Sequence, residues 1–86
     1  ELESNISIYP NPVQTDLFLN MNLNESSVVD IIISDILGKI IVSKSNIKVN
    51  DGVNIIKLNV SDFNTGTYTL KIQGDSFYQI EKFIIN

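Results

Sequence analysis

Residues 15–23, TDLFLNMNL, keep a period of two, with Phe18 the one apolar residue out of phase. Leu17, Leu19, Met21 and Leu23 fall on one side of an extended chain; Phe18, Asn20 and Asn22 fall on the other. A period of two belongs to a strand with one buried and one wetted face, because successive side chains of a strand point to opposite sides. Such a strand has to bury its apolar face against a second layer. Ala and Arg are absent, while fifteen isoleucines and seven valines supply β-branched side chains. Helix formers are therefore scarce and pleated, half-buried surface is favoured. The second layer is expected to be another sheet.

The rest of the chain can be read by the same rule. Residues 4–9 alternate weakly until Pro10-Asn11-Pro12, where fixed φ angles and missing donors end the run, as at a short edge strand entering a rigid turn. Residues 27–34 place Val29, Ile31 and Ile33 on one face and Val28, Asp30 and Ile32 on the other, which suits a central strand. Asp35-Ile36-Leu37-Gly38-Lys39 reads as a tight connection, with residues 39–44 returning as the second arm of a hairpin. Residues 45–52 read as a polar loop closed by Asp51-Gly52, and 53–60 as a strand with Ile56, Leu58 and Val60 inward. In the connection 61–66, Phe63 is the apolar peg. Residues 67–73 put Tyr68, Leu70 and Ile72 inward. The last strand, 76–86, changes phase between Tyr78/Ile80 and Phe83/Ile85, which predicts a bulge near Glu81-Lys82. About seven short strands, with turns roughly every ten residues, predict an all-β, Ig-like antiparallel sandwich.

The residue inventory excludes much chemistry. Without Cys or His there is no zinc finger, iron–sulfur ligation, haem ligation by His, thiol nucleophile or Ser-His-Asp triad. A net charge of −4 and the absence of Arg argue against nucleic acid as a partner. No apolar run approaches the roughly 18–20 residues of a membrane span. The chain opens on Glu1 and Glu3 without a basic leader; if the protein is exported, its export signal is expected upstream of these residues.

The groups left for acid–base or calcium chemistry are carboxylates. Asp35, Asp51, Asp62 and Asp75 stand in or beside turns, where Asp is favoured for local hydrogen bonding; Asp16 and Asp30 stand apart. No EF-hand spacing is present. No catalytic residue, cofactor or metal site is expected. The aromatic residues Phe63 and Tyr68 read as core, and Phe18 lies on a wetted face. Three Asn-x-Ser matches, at Asn5, Asn24 and Asn59, are unremarkable among eleven asparagines. A small carbohydrate-binding or adhesion sandwich stays open on these grounds, although there is no Trp to stack on a sugar.

Four pieces in a fixed order carry a resemblance. Tyr9-Pro10-Asn11-Pro12 is followed by Asp16-x-Leu-x-Leu; then come Asp35-x-x-Gly38-Lys39, a Gly66-x-Tyr68-x-Leu70-x-Ile72 strand, and a closing Lys82-Phe83-Ile84-Ile85. The set resembles the type A C-terminal sorting domain of type IX secretion cargo, the Por secretion system, over about residues 6–86. The resemblance implies an Ig-like sandwich that is not an enzyme and needs no cofactor. It implies a cargo attached on the N-terminal side, passage through the periplasm, recognition by the type IX translocon, and removal by a surface sortase. The cargo then ends at the cell surface or is released. Residues 1–5 are expected to be linker. The motif residues map to Tyr9, Pro10, Asn11, Pro12, Asp35, Gly38, Lys39, Gly66 and Tyr68. Translocon recognition is expected at Lys82, Phe83, Ile84 and Ile85, through strand addition at an open edge or a docked apolar end. A monomer is expected, with an edge-strand dimer as the other state. Many relatives close on a basic residue; here Asn86 stands last.

Overall fold

A computed structural model describes residues 5–86. Seven strands follow one another: β1 (Asn5–Tyr9), β2 (Asp16–Leu23), β3 (Ser27–Asp35), β4 (Ile40–Val49), β5 (Gly52–Asn59), β6 (Gly66–Gln73) and β7 (Tyr78–Ile85). The linker expected over residues 1–5 lies, up to residue 4, outside the described residues; Asn5 already belongs to β1.

The strands form two antiparallel sheets, β1-β2-β5 and β4-β3-β6-β7. In the immunoglobulin constant-type order the fourth strand completes the first sheet. Here it stays in the second, beside β3, because the short turn at residues 36–39 folds it straight back. The chain then crosses to the first sheet through Asn50 and Asp51, and β5 pairs with β2 from Asp16↔Asn59 to Leu23↔Gly52.

The alternating positions make one core. Leu17, Leu19 and Met21 of β2 pack with Val29, Ile31 and Ile33 of β3, Leu70 and Ile72 of β6, and Phe83 of β7, all fully buried. Leu58 and Val60 are buried as well, with Ile56 half-buried beside them. The predicted inward faces of β2, β3, β5 and β6 are thus the observed ones.

Two expectations fail. The first is the bulge near Glu81-Lys82. The β6–β7 register runs unbroken from Gly66↔Ile85 to Gln73↔Tyr78. Tyr78 and Ile80 simply face outward, and the inner positions beside them are the half-buried Gln79 and Glu81. Gln79 donates from Nε2 to the Ile6 carbonyl of β1 at 3.0 Å, so an amide rather than an aliphatic chain closes the sandwich there.

The second is the polar loop at 45–52. Strand β4 continues to Val49, and the bulges lie in it. Val29 pairs with Ile47 and Ile31 with Lys44, so two residues of β4, Ser45 and Asn46, oppose the single Asp30 of β3; a second irregularity lies between the Ile33 and Ser34 pairs. Asn46 takes φ 60° and donates its N–H to Asp30 Oδ1 at 3.0 Å. Asn tolerates this left-handed conformation better than most residues, and the Asp30 carboxylate supplies the partner that the ladder cannot. The extra residue lets Val42 and Ile47 both face inward despite their odd spacing.

Candidate functional site

Cross-strand register gathers the motif residues at one end of the four-stranded sheet. Asp35 pairs with Tyr68, and Tyr68 with Phe83. In the adjacent row Ser34 pairs with Thr69, and Thr69 with Lys82. Gly66 stands opposite Ile85. Three pieces that are far apart in the chain are therefore near neighbours.

The fourth piece joins through the outer edge of β7. Ile84 donates its N–H to Asn11 Oδ1 at 2.9 Å, and Asn11 Nδ2 reaches the Lys82 carbonyl at 3.4 Å. Next along, Val13 donates to the Ile84 carbonyl and accepts from the Asn86 N–H, each at 2.9 Å, making a parallel bridge with Ile85. The sequence explains this division of labour. Neither Pro10 nor Pro12 has an N–H to offer a strand edge. An Asn side chain supplies both an acceptor and a donor, and so replaces a missing backbone unit. Both X-Pro peptide bonds, Tyr9-Pro10 and Asn11-Pro12, are cis. Val13 is fully buried and anchors the loop in the core.

This clasp bears on the terminal strand. The backbone groups of Lys82, Ile84 and Asn86 named above already have partners, so the edge is closed along that stretch. The side chains divide by parity: Phe83 and Ile85 are buried in the core, while Lys82 and Ile84 face out, Ile84 being 44% exposed.

Asp35, Gly38 and Lys39 build the β3–β4 turn. One oxygen of Asp35, Oδ1, accepts from the N–H groups of Leu37 and Lys39, each at 2.9 Å. Its backbone accepts from Gly38 at 3.0 Å and donates to Lys39 at 2.9 Å. Gly38 sits at φ 90°, where a side chain would be strained. The turn presents Ile36 and Leu37 to solvent, 78% and 90% exposed.

Tyr68 is buried, and its hydroxyl donates to the Asn64 carbonyl at 2.7 Å, four residues upstream. That is the tyrosine corner of immunoglobulin-like sandwiches, in which a Tyr near the start of the sixth strand ties down the preceding connection. Its ring lies 5.8 Å from Phe83, stacked, and 6.0 Å from Phe63. Gly66 opens the strand at φ 149°, at the bend between Asn64 and Tyr68. Periodicity marks Tyr68 as core and Phe63 reads as the apolar peg beside it, but the hydroxyl bond to Asn64 has no local sequence signal. Val13, a single apolar residue after Pro12, likewise has no periodicity to mark it.

The other candidates remain dispersed. Phe18 is half-buried and stacks on Tyr9 at 5.6 Å, so the two rings cover each other on the outer face of the three-stranded sheet. Asp30 and Asp35 serve backbone N–H groups. Among the described residues no group of three or more carboxylates could hold a metal ion.

What distinguishes this sandwich is structural: its motif residues brace one end and the terminal strand. That defines a β-sandwich module whose signature elements converge on its C-terminal strand. The secretion system C-terminal sorting domain family matches residues 7–86, and the chain belongs to this family, that of type IX secretion. A search of curated proteins found no match. Membership makes the chain a type IX sorting signal, carried with an N-terminal cargo and engaging the secretion machinery. The protein is accordingly exported, reaching the cell surface or the medium, and the family is not a catalytic one.

Proposed function

We propose that this chain is a non-catalytic export signal read by the type IX translocon at the clasped end of the sandwich. The recognised surface combines Lys82 and Ile84 with the loop formed by Tyr9, Pro10, Asn11 and Pro12. Phe83 and Ile85 act from beneath, holding that surface in place. The observation that supports this reading is the bond between Asn11 and Ile84, which makes the first motif and the last a single surface. The cargo passes through the periplasm. A surface sortase then removes the domain by cutting upstream of Tyr9, and the cargo is released or attached at the surface. The domain travels as a monomer.

The test is a transplant. A signal peptide, an inert fluorescent reporter and this chain are fused through a linker and expressed in a type IX host and in the same host lacking its translocon. Export in the first and periplasmic retention in the second is the expected result. Retention in both hosts, with the domain folded, would overturn the reading, and a glycan-binding screen would follow. The reversal Lys82→Glu with Ile84→Asp is expected to abolish export without unfolding the domain, since both side chains are exposed. Export at the parental level would place recognition elsewhere.

A further inference from the structure

The two long sides of the sandwich differ. On one side the edges of β1 and β7 are stitched together by Gln79 and clasped by Asn11 and Val13. On the other, β4 and β5 are both terminal strands of their sheets. A slot of about 300 Å³ opens between them. Its walls include Val42, Leu58, Val60 and Phe63, and Lys44 and Lys57 stand at its rim, both exposed.

The two edges are unequally protected. Strand β4 carries two bulges and an inward-directed lysine, since Lys44 shares a row with the buried Ile31. Bulges and inward charges are the usual means of blunting an edge. Strand β5 has neither. It pairs with β2 over eight residues without a register shift. Val60 donates its N–H to Thr15 on the β2 side. By the alternation of an antiparallel ladder, the N–H and C=O groups of Val53, Ile55, Lys57 and Asn59 point away from β2, toward the slot side. Val53 and Ile55 are also among the most exposed aliphatic side chains.

We propose that the β5 edge receives an extended segment of a partner protein, alternately apolar and acidic, as an added strand roofing the slot. Main-chain bonds to Val53, Ile55 and Lys57 supply the pairing. Alternate apolar side chains drop toward Val42, Leu58 and Phe63. The acidic side chains between them lie on the outer face of the sheet, beside Lys57. The charge argues against a second copy as the occupant: residues 52–59, GVNIIKLN, contain no carboxylate to answer Lys57. This surface is separate from the clasped end, so its test does not depend on the translocon reading.

The probe is an N-acetylated, C-amidated octapeptide of alternating Asp and Val, titrated into the isotope-labelled chain and followed by backbone amide shifts. A second octapeptide alternates Lys and Val. The Asp peptide is expected to shift the amides of Val53, Ile55, Lys57 and Asn59, and the Lys peptide to bind roughly threefold to tenfold more weakly, since an exposed attraction at Lys57 is replaced by an exposed repulsion. In the reversal Lys57→Glu the preference should invert. Ile55→Pro deletes an outward-pointing N–H and should remove binding with the β2–β5 amides unperturbed. Shifts confined to other strands, equal binding of both peptides, or no shift at millimolar peptide would each overturn the proposal. So would a concentration-dependent dimer, seen by sedimentation, that Ile55→Pro dissolves.

Discussion

The amide of Ile84 donates to the side-chain oxygen of Asn11 at 2.9 Å, across 73 residues of chain. One side chain thereby stands in for a strand at the outer edge of β7, and Val13 completes the edge with two backbone bonds. The β-sheet edge that terminal strands usually leave open is here finished from within the chain.

Asn11→Ala should cost about 1–2 kcal/mol, because it removes both side-chain bonds of the clasp while Val13 keeps its own. Urea unfolding measures the loss, and amide exchange localises it: Ile84 should exchange faster, with Leu70 and Ile72 unchanged. Asn11→Asp keeps the acceptor and loses the donor, and should fall between the two. Unchanged protection at Ile84 would contradict the geometry.

Tyr68→Phe tests the tyrosine corner. The ring contacts with Phe63 and Phe83 survive, and only the hydroxyl bond to Asn64 is lost. A cost of about 1–2 kcal/mol is expected, with the 61–66 connection loosened. A variant as stable as the parent would mean that water satisfies the Asn64 carbonyl equally well.

At the β3–β4 turn, Asp35→Ala leaves two N–H groups without their acceptor and should lower stability by about 1–2 kcal/mol. Gly38→Ala should cost about 1 kcal/mol for a different reason, the positive φ. A thermal midpoint that moves for neither variant would show that the turn is held by other contacts.

The bulge in β4 predicts different outcomes for two substitutions at one position. Asn46→Gly should be close to neutral, since Gly takes φ 60° freely. Asn46→Val should cost about 1–2 kcal/mol, because a β-branched residue is disfavoured there. Equal stability of the two would be inconsistent with a left-handed residue at 46.

Neighbouring residues of the terminal strand should separate stability from export. Phe83→Ala empties a core position and should cost about 3–5 kcal/mol. Ile84→Ala should stay within about 0.5 kcal/mol, as surface changes usually do. A large stability loss at Ile84 would mean that the residue belongs to the fold and not to a recognition surface.

Much of this architecture was legible before any coordinates. In β6, and in β2 apart from Phe18, polar and apolar residues alternate, and every predicted inward residue there is buried. Asp35 and Gly38 announced their turn, because the chemistry of a tight turn is local. Phase errors arose where a long-range device replaced a local one. In β7 the change of apolar parity suggested a bulge; the cause is Gln79, whose inward amide finds the Ile6 carbonyl of a strand 73 residues away. In β4 the real bulge was hidden in a stretch that read as loop, because its support is the Asp30 carboxylate on the neighbouring strand.

Periodicity and turn residues specify strand positions, the buried face of most strands and the all-β class, since these depend on interactions between residues close in sequence. The ordered motif set pointed to the family. Only the packed sandwich decided that the motif residues meet at one end, that Asn11 and Val13 seal the last strand, and that the opposite side is left open at β5. Those are pairings between segments distant in the chain. Their energies depend on which backbone groups remain unsatisfied once the sheets have formed, and one strand's pattern carries no record of that.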